Sequence, residues 1–519
     1  MAKSHLVAIA YAIVFLLLQV VVGFQSFNLT FHLLAGDPDY ACSADKACKV
    51  GCCGSVDKTT GKGVCGLGPD FCGKGCISNC DRKSECDPGW GIDWSDSPEC
   101  PLNVCCSKFG FCGTTAEFCA SSTVTSPECP GGSSAKAKTI GYYEAWNLER
   151  PCGTMTPKQI PLGYYTHINF AFALIDPKTF HIAPMTANTD KMYKSVTQLK
   201  ARQRDLQVWI AIGGWAMNDP GPTRTTFSDL AGSIEHQDVF FESLVTFLIN
   251  NNFDGVDLDW EYPVADDRGG KPEDYQNMVT LMKRLRKRLD QTGRHYGISI
   301  TLPVSYWYLR GFDLNNIEPH VDWFNVMTYD IHGLWDRNVT SIGSYALAHT
   351  NLTEIHMGLE LLWRNNVNPA RVVMGLEFYG RSYTMESSAC MAAGCPFKDP
   401  ARPGRCTGQE GILAGYEINE IIKNGGKKSF DKEAAVKIVT WDNDQWVSWD
   451  DEESLKLKLD FANKRCLGGT MVWAIDLDDG TLIGSLGKAM GKEKLDVPDD
   501  MPDYPSQGDL GTHIDEKKA

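Results

Sequence analysis

From residue 139 onward the chain alternates short apolar runs with stretches of helical period. Eight runs read as strands: 139–146, 164–173, 207–214, 255–260, 296–303, 323–329, 371–379 and 468–475. Several are continuously apolar, as expected of strands buried on both faces. Amphipathic patterns at 190–204, 237–251, 273–292, 352–365 and 450–463 lie between them. Eight strands with helical stretches between many of them predict an α/β fold, a (β/α)8 TIM barrel over 139–490. The interval between the seventh and eighth strands is too long for one helix, and 383–437 reads as an inserted α+β subdomain.

Ahead of the barrel the texture differs. Fifteen of the 20 cysteines lie between Cys42 and Cys129, in a glycine-rich, loop-like stretch. Such density predicts a small disulfide-rich region, 42–129, joined to a domain with an ordinary core. The residues 130–138 read as a linker and 491–519, rich in Asp and Pro, as a disordered tail. Residues 1–23 carry Lys3, an apolar run from Leu6 to Val22 and a small residue, Gly23. They read as a secretory signal peptide, with a retained anchor as the alternative. Either places the remainder in an oxidising compartment. Sequons at Asn28, Asn338 and Asn351 agree with secretion.

Composition adds exclusions. The chain is 519 residues long, 43% hydrophobic and carries a formal charge of −15. It is neither a wholly disordered chain nor a disulfide mini-protein, and the acidic balance argues against a nucleic-acid partner.

The segment from Phe253 to Pro263 concentrates the chemistry. Asp257, Asp259 and Glu261 alternate with Val256, Leu258 and Trp260. On a strand they share one face, and in a barrel that face points towards the C-terminal mouth. Three crowded acids cannot all ionise cheaply, so one is expected to stay protonated near neutral pH as a general acid. Two other readings stay open: a solvated acidic loop, and an oxygen-ligand site for Mg²⁺ or Ca²⁺. No clustered histidines suggest zinc, and neither a metal nor a cofactor is expected. Trp260, out of phase with the acids, reads as packing.

The spacing Asp254-x-x-Asp257-x-Asp259-x-Glu261 resembles the signature of glycoside hydrolase family 18 chitinases. Ile212-Gly213-Gly214-Trp215, Met327-Thr328-Tyr329-Asp330, Tyr379-Gly380-Arg381 and Met471-Val472-Trp473 resemble that family's third, sixth, seventh and eighth strands. Ala211 departs from it, standing where serine is common against the buried aspartates. The resemblance implies a retaining, substrate-assisted hydrolysis of β-1,4-linked N-acetylglucosamine polymers. Glu261 would be the acid and base, Asp259 the partner of the substrate's acetamido group, and Asp257 its proton-sharing neighbour. Tyr329 would bond the acetamido oxygen and Asp330 would hold the sugar. Trp473 would floor the site, Trp215 and Trp335 would line the leaving-group side, and Tyr142, Trp146, Phe172, Gly213, Gly214, Met327, Tyr379 and Arg381 would complete the cleft. Trp307 also falls just beyond a strand end.

Cys100, Cys105, Cys106, Ser107, Cys112, Phe118 and Cys119 are spaced as in the hevein-like (family 18) chitin-binding module. By that resemblance Ser107, Phe109, Phe111 and Phe118 would touch sugar. Within the block, 86–129 is the better-matched unit. The 42–80 unit looks like a divergent copy that keeps the framework and Phe71 alone of the aromatics, and reads as a stapled spacer. Cys390, Cys395, Cys406 and Cys466 are expected to form two pairs, and Cys129 to pair with Cys152 as a clamp. The function these readings imply is a secreted, monomeric chitinase of the fungal killer-toxin-like type, endo-acting, with chitin or chitooligosaccharides as partner and no membrane once the signal is cleaved. Alternatives on the same fold are an endo-β-N-acetylglucosaminidase and a non-catalytic chitin-binding lectin.

Overall fold

The computed structural model describes residues 40–56, 62–120 and 123–496. The apolar run at 6–22 and the tail from 497 lie outside the described residues. The chain forms two units: one holds 40–100 and 105–120, the other 101–104 and 123–496.

The larger unit is a closed barrel. Its strands are β1 (Thr139–Glu144), β2 (His167–Ile175), β3 (Gln207–Gly213), β4 (Gly255–Asp259), β5 (Gly297–Pro303), β6 (Trp323–Met327), β7 (Val372–Glu377) and β8 (Gly469–Trp473). Each pairs in parallel with its neighbour, and β8 and β2 both pair with β1, which closes the ring. All eight expected strands are present. Helices cover the outside. One of them, α1 (Ile234–Asn251), begins where Ser233 Oγ accepts the His236 N–H and ends at Asn252 in the left-handed region. Its Phe240, Phe241, Leu244, Val245 and Leu248, at helical spacing, are buried. Each contributes about 1.5–3 kcal/mol by leaving water.

The N-terminal end of the barrel is plugged by Trp209 and Trp323, stacked with ring centres 4.3 Å apart. Gly297 is required here: a Cβ would lie 1.9 Å from the Trp209 ring.

Between β7 and β8 stands an antiparallel sheet of six strands from Tyr379–Met385 to Gln445–Trp449, with the helix Gly415–Lys423. The insertion is wider than 383–437. Its first and last strands pair directly, Arg381 opposite Ser448 and Tyr383 opposite Trp446, so both belong to one sheet. Residues 491–496, expected to open the tail, still meet the barrel: the Leu495 N–H donates to the Leu162 carbonyl at 2.8 Å.

The smaller unit is two copies of one cystine framework. Cys42–Cys53, Cys48–Cys65 and Cys52–Cys72 in the first match Cys86–Cys106, Cys100–Cys112 and Cys105–Cys119 in the second, and Cys76–Cys80 is an addition. A turn N–H equates the copies position by position: Gly54 donates to the Val64 carbonyl as Ser107 donates to that of Phe111. Phe71 packs across Gly66 as Phe118 packs across Gly113.

The remaining cysteines correct the expected pairing. Cys390 bonds Cys395, but Cys129 bonds Cys466 and Cys152 bonds Cys406. The clamp between Cys129 and Cys152 does not exist. The Cys129 N–H is held by the Lys464 carbonyl at 2.8 Å, two residues from Cys466, while Cys152 follows β1 towards the insertion. Peptide mapping without reductant is expected to recover both long-range crosslinks, spanning 337 and 254 residues. Replacing Cys152 and Cys406 together with Ser should lower the unfolding free energy by about 2–4 kcal/mol, read by chemical denaturation.

Candidate active site

Asp257 and Asp259 sit on the last turns of β4 with their side chains inside the barrel, and Glu261 follows at its mouth. All three are buried, at 0, 3 and 8% exposure. Val256 and Leu258, pointing the other way, are buried against the helices. Trp260 is buried and stacks on Phe227, as its phase predicts. Asp254 of the same motif lies at the opposite end of β4. There it accepts the Val208 N–H and pairs with Lys200 and Arg294, so it anchors the strand and stands apart from the other acids.

Donors converge on the aspartates from other strands. Asp257 Oδ2 accepts the Tyr142 hydroxyl from β1 at 2.7 Å. Its Oδ1 accepts Ser299 Oγ from β5 at 2.6 Å and Asn325 Nδ2 from β6 at 3.0 Å. Asp259 Oδ1 accepts Thr301 Oγ1 at 2.5 Å. Ser299 thus supplies the hydroxyl that Ala211 lacks. Ser299, Thr301 and Asn325 were not anticipated. A signal existed, since Ser299 and Thr301 interrupt an otherwise apolar strand at the same two-residue spacing as the acids, and Ser299 is in register with Asp257.

Burial raises the Asp257 carboxyl against the pull of its donors. Burial, with the charges of Glu261 and Asp257, pushes Asp259 well above the usual carboxylate range. Burial lifts Glu261 to about 7, opposed by a Tyr262 hydrogen bond and the Arg268 charge. Asp330 goes the other way. Burial alone would raise it, but Arg381 and His349 outweigh that and hold it well below the normal range. Its Oδ1 accepts the Tyr379 hydroxyl at 2.6 Å and Arg381 Nε at 2.8 Å, and its Oδ2 accepts Arg381 Nη2 at 2.6 Å. Two acids at one mouth are therefore shifted in opposite directions.

The floor is aromatic. Trp473 lies 5.4 Å from Tyr142, 6.3 Å from Trp146 and 5.7 Å from Phe172, centre to centre. The Tyr329 hydroxyl reaches Met471 Sδ at 3.7 Å, and Met327 packs against the same cluster. Gly213 and Gly214 have positive φ, and the Gly214 N–H donates to the Asp259 carbonyl at 2.9 Å. A Cβ on Gly213 would meet that carbonyl, and one on Gly214 the Phe172 ring, so only glycine closes this corner. Trp215 and Trp335 stand on the rim, 50 and 42% exposed. Buried Arg268, also unanticipated, stacks 3.6 Å over Trp215 and donates from Nε to the Glu261 carbonyl. Charged His332 supports the Trp335 loop. Burial opposes its charge, but hydrogen bonds to Asp336 and Glu354 raise it to about 9.

In the smaller unit, Phe109 is 40% exposed. Ser107 is buried and its Oγ accepts the Phe111 N–H, and Phe111 packs with Phe71, Trp90 and Trp94 on a small core. The close cysteine triplets Cys42, Cys48, Cys53 and Cys86, Cys100, Cys112 are disulfide-bonded, so their sulfurs are not metal-ligating thiolates. A cavity of about 1160 Å³ at the other end of the barrel is lined by Lys138, Lys200, Arg294, Asp254 and Trp209, away from the acid array.

A closed parallel barrel with acids converging at its C-terminal mouth over an aromatic floor has the layout of a barrel enzyme, whose chemistry sits at that face. The model of Glycosyl hydrolases family 18 matches residues 138–478, and the chain belongs to that family. A second model, Chitin recognition protein, matches 93–129. Secreted chitinase LysM12 of Penicillium expansum is 29% identical over 420 residues, covering 74% of this chain and 27% of that protein. The killer toxin subunits alpha/beta of Kluyveromyces lactis are 32% identical over 398 residues, 72% of this chain and 33% of theirs. The chain thus spans a third or less of these two relatives. The Ostrinia furnacalis Group II chitinase catalytic domain 2 superposes with a TM-score of 0.62 at 29% identity, over 70% of this chain and 99% of that one.

Tyr142→Phe removes a donor from a buried carboxylate and is expected to cost about 1–3 kcal/mol of stability, read by urea unfolding at neutral pH.

Proposed function

We propose that the protein is a secreted chitinase that cleaves β-1,4 bonds between N-acetylglucosamine units with retention of configuration. The observation that carries this reading is Glu261, buried with a pKa of about 7 beside Asp259 and Asp257 above the Trp473 floor. The protonated Glu261 carboxyl gives its proton to the glycosidic oxygen as the bond to the anomeric carbon breaks. The substrate's own acetamido oxygen attacks that carbon and forms an oxazolinium ion. Asp259 shares its proton with Asp257 at rest and yields it to Asp257 as charge builds on the substrate, so that its carboxylate accepts the acetamido N–H and balances the charge, and the Tyr329 hydroxyl donates to the acetamido oxygen. Glu261, now ionised, takes a proton from the water that opens the ring. A Mutant of the Ostrinia furnacalis domain has been crystallised with a penta-N-acetylchitooctaose ligand, which agrees in substrate class.

Chain cleavage from within is the expected mode, because exposed Trp215 and Trp335 offer sugar platforms beyond the acids. In the smaller unit the second copy is the anchor, with Phe109 as its exposed aromatic and Ser107, Phe111 and Phe118 beneath and beside it. The first copy is a spacer: Gly54 and Val64 stand where the second has Ser107 and Phe111. Ten disulfides accord with an extracellular location. Among the described residues no helix is long and apolar enough to cross a membrane.

Glu261→Gln should lower kcat on chitooligosaccharides by about 100-fold or more while binding persists; wild-type binding without hydrolysis would sink the enzyme reading. Only the protonated acid is competent, so kcat/KM should fall as pH rises through about 7. A Phe109→Ala variant should bind insoluble chitin more weakly and cleave short soluble oligomers at the wild-type rate; equal loss of both would refute the anchor.

A further inference from the structure

Behind Asp330 lies a line of buried ionisable groups for which the chemistry above has no use. His349 is fully buried, and so is Glu377, while Asp450 and Lys458 behind them are at most 1% exposed. His349 Nδ1 is 3.3 Å from the Asp330 amide nitrogen and 3.4 Å from Asp330 Oδ1. The next amide, Ile331, donates to the His349 carbonyl at 3.1 Å. Two consecutive backbone donors where the chain leaves β6 are thus fixed by one residue. Asp330 itself has φ of 56°, a left-handed conformation that residues other than glycine seldom adopt. From it the carboxylate reaches both Arg381 and Tyr379.

We propose that His349 is a positioning residue for Asp330, its ring Nδ1 seated against both the amide and the carboxylate of Asp330 and its carbonyl holding the next amide, so fixing the backbone turn that aims the carboxylate at the barrel mouth. On the other side of the ring Nε2 faces Glu377 Oε1 at 3.8 Å. The surrounding charges already balance without the ring. Arg381 pairs with Asp330 and Lys458 with Asp450, so an imidazolium would add a third buried cation beside two others. Burial holds the ring's pKa down at about 4. Tyr379, 5.1 Å away ring to ring, closes the remaining side.

The inference rests on the reading that Asp330 holds the reacting sugar. A misaimed Asp330 should therefore slow the chemical step more than it weakens substrate binding. The two amide replacements separate the ring nitrogens: His349→Asn keeps an oxygen near the Nδ1 position, whereas His349→Gln carries its amide out towards Glu377. On a soluble chitooligosaccharide, His349→Gln is expected to lose at least tenfold in kcat with KM within threefold of wild type. His349→Asn should recover at least threefold of that loss, with melting temperatures of the two variants alike. Equal kcat for the two variants, or a rise in KM matching the fall in kcat, overturns the inference while wild-type hydrolysis still supports the chitinase reading. Absence of hydrolysis by wild type overturns both.

Discussion

Two carboxyl groups on alternate positions of one buried strand, with a third two residues beyond its end, set the terms for the rest of the barrel. Ionising all of them would place like charges a few ångströms apart in a medium that screens poorly. The molecule does not neutralise them with cations. It supplies uncharged donors, Tyr142, Ser299, Thr301 and Asn325, from β1, β5 and β6. Such donors meet at one point only if the sheet closes, because β1 and β4 are three strands apart around the ring. Barrel closure is thus the means by which a single acidic strand becomes chemically usable. Cations are kept to the rim. Arg381 is on Asp330, and Arg268 touches the Glu261 backbone carbonyl, not its carboxyl. Glu261 can therefore hold a proton near neutrality while Asp330 a short way off cannot.

The smaller unit answers a different problem with the same economy. A chain segment too short to bury a core is held by crosslinks, and the crosslinks leave the exposed positions free to vary. Its two copies share three disulfides, one turn hydrogen bond and one phenylalanine packed over glycine, yet differ at the positions that would meet sugar. Gly54 and Val64 preserve the backbone of the copy that carries Ser107 and Phe111 and present no hydroxyl or aromatic face.

The barrel and the acid strand were legible in the sequence because both depend on period. Alternation along 255–260 assigns faces, and the phase that put Asp257 and Asp259 inside also put Trp260 against Phe227. What was hidden arises from contacts between distant segments. The crosslinks of Cys129 and Cys152 depend on where the ends of β8 and the insertion come to rest, which counting cysteines cannot reveal. Arg268 is one cation among 50 Lys and Arg until the fold lays it across Trp215. The edge of the insertion was misplaced for a related reason. Residues 436–441 and 445–449 form a hairpin that turns at Asp442 and Asn443, and nothing local distinguishes a hairpin of the inserted sheet from a strand leading back to the barrel.

That edge matters for the site. The chain leaves the barrel after Glu377 and returns at Asp450, and these two buried acids meet beside Lys458 where exit and return adjoin. The first strand of the insertion begins immediately beyond, and its opening residues include Tyr379 and Arg381. Both side chains turn back onto Asp330. The inserted sheet is consequently part of the machinery and no mere wall beside it: pairing of its first strand with its last fixes the angle at which Arg381 approaches. Disturbance of the junction would reach Asp330 from two directions at once, through Arg381 in front and through His349 behind. Asp330 therefore draws its partners from both the barrel and the inserted sheet.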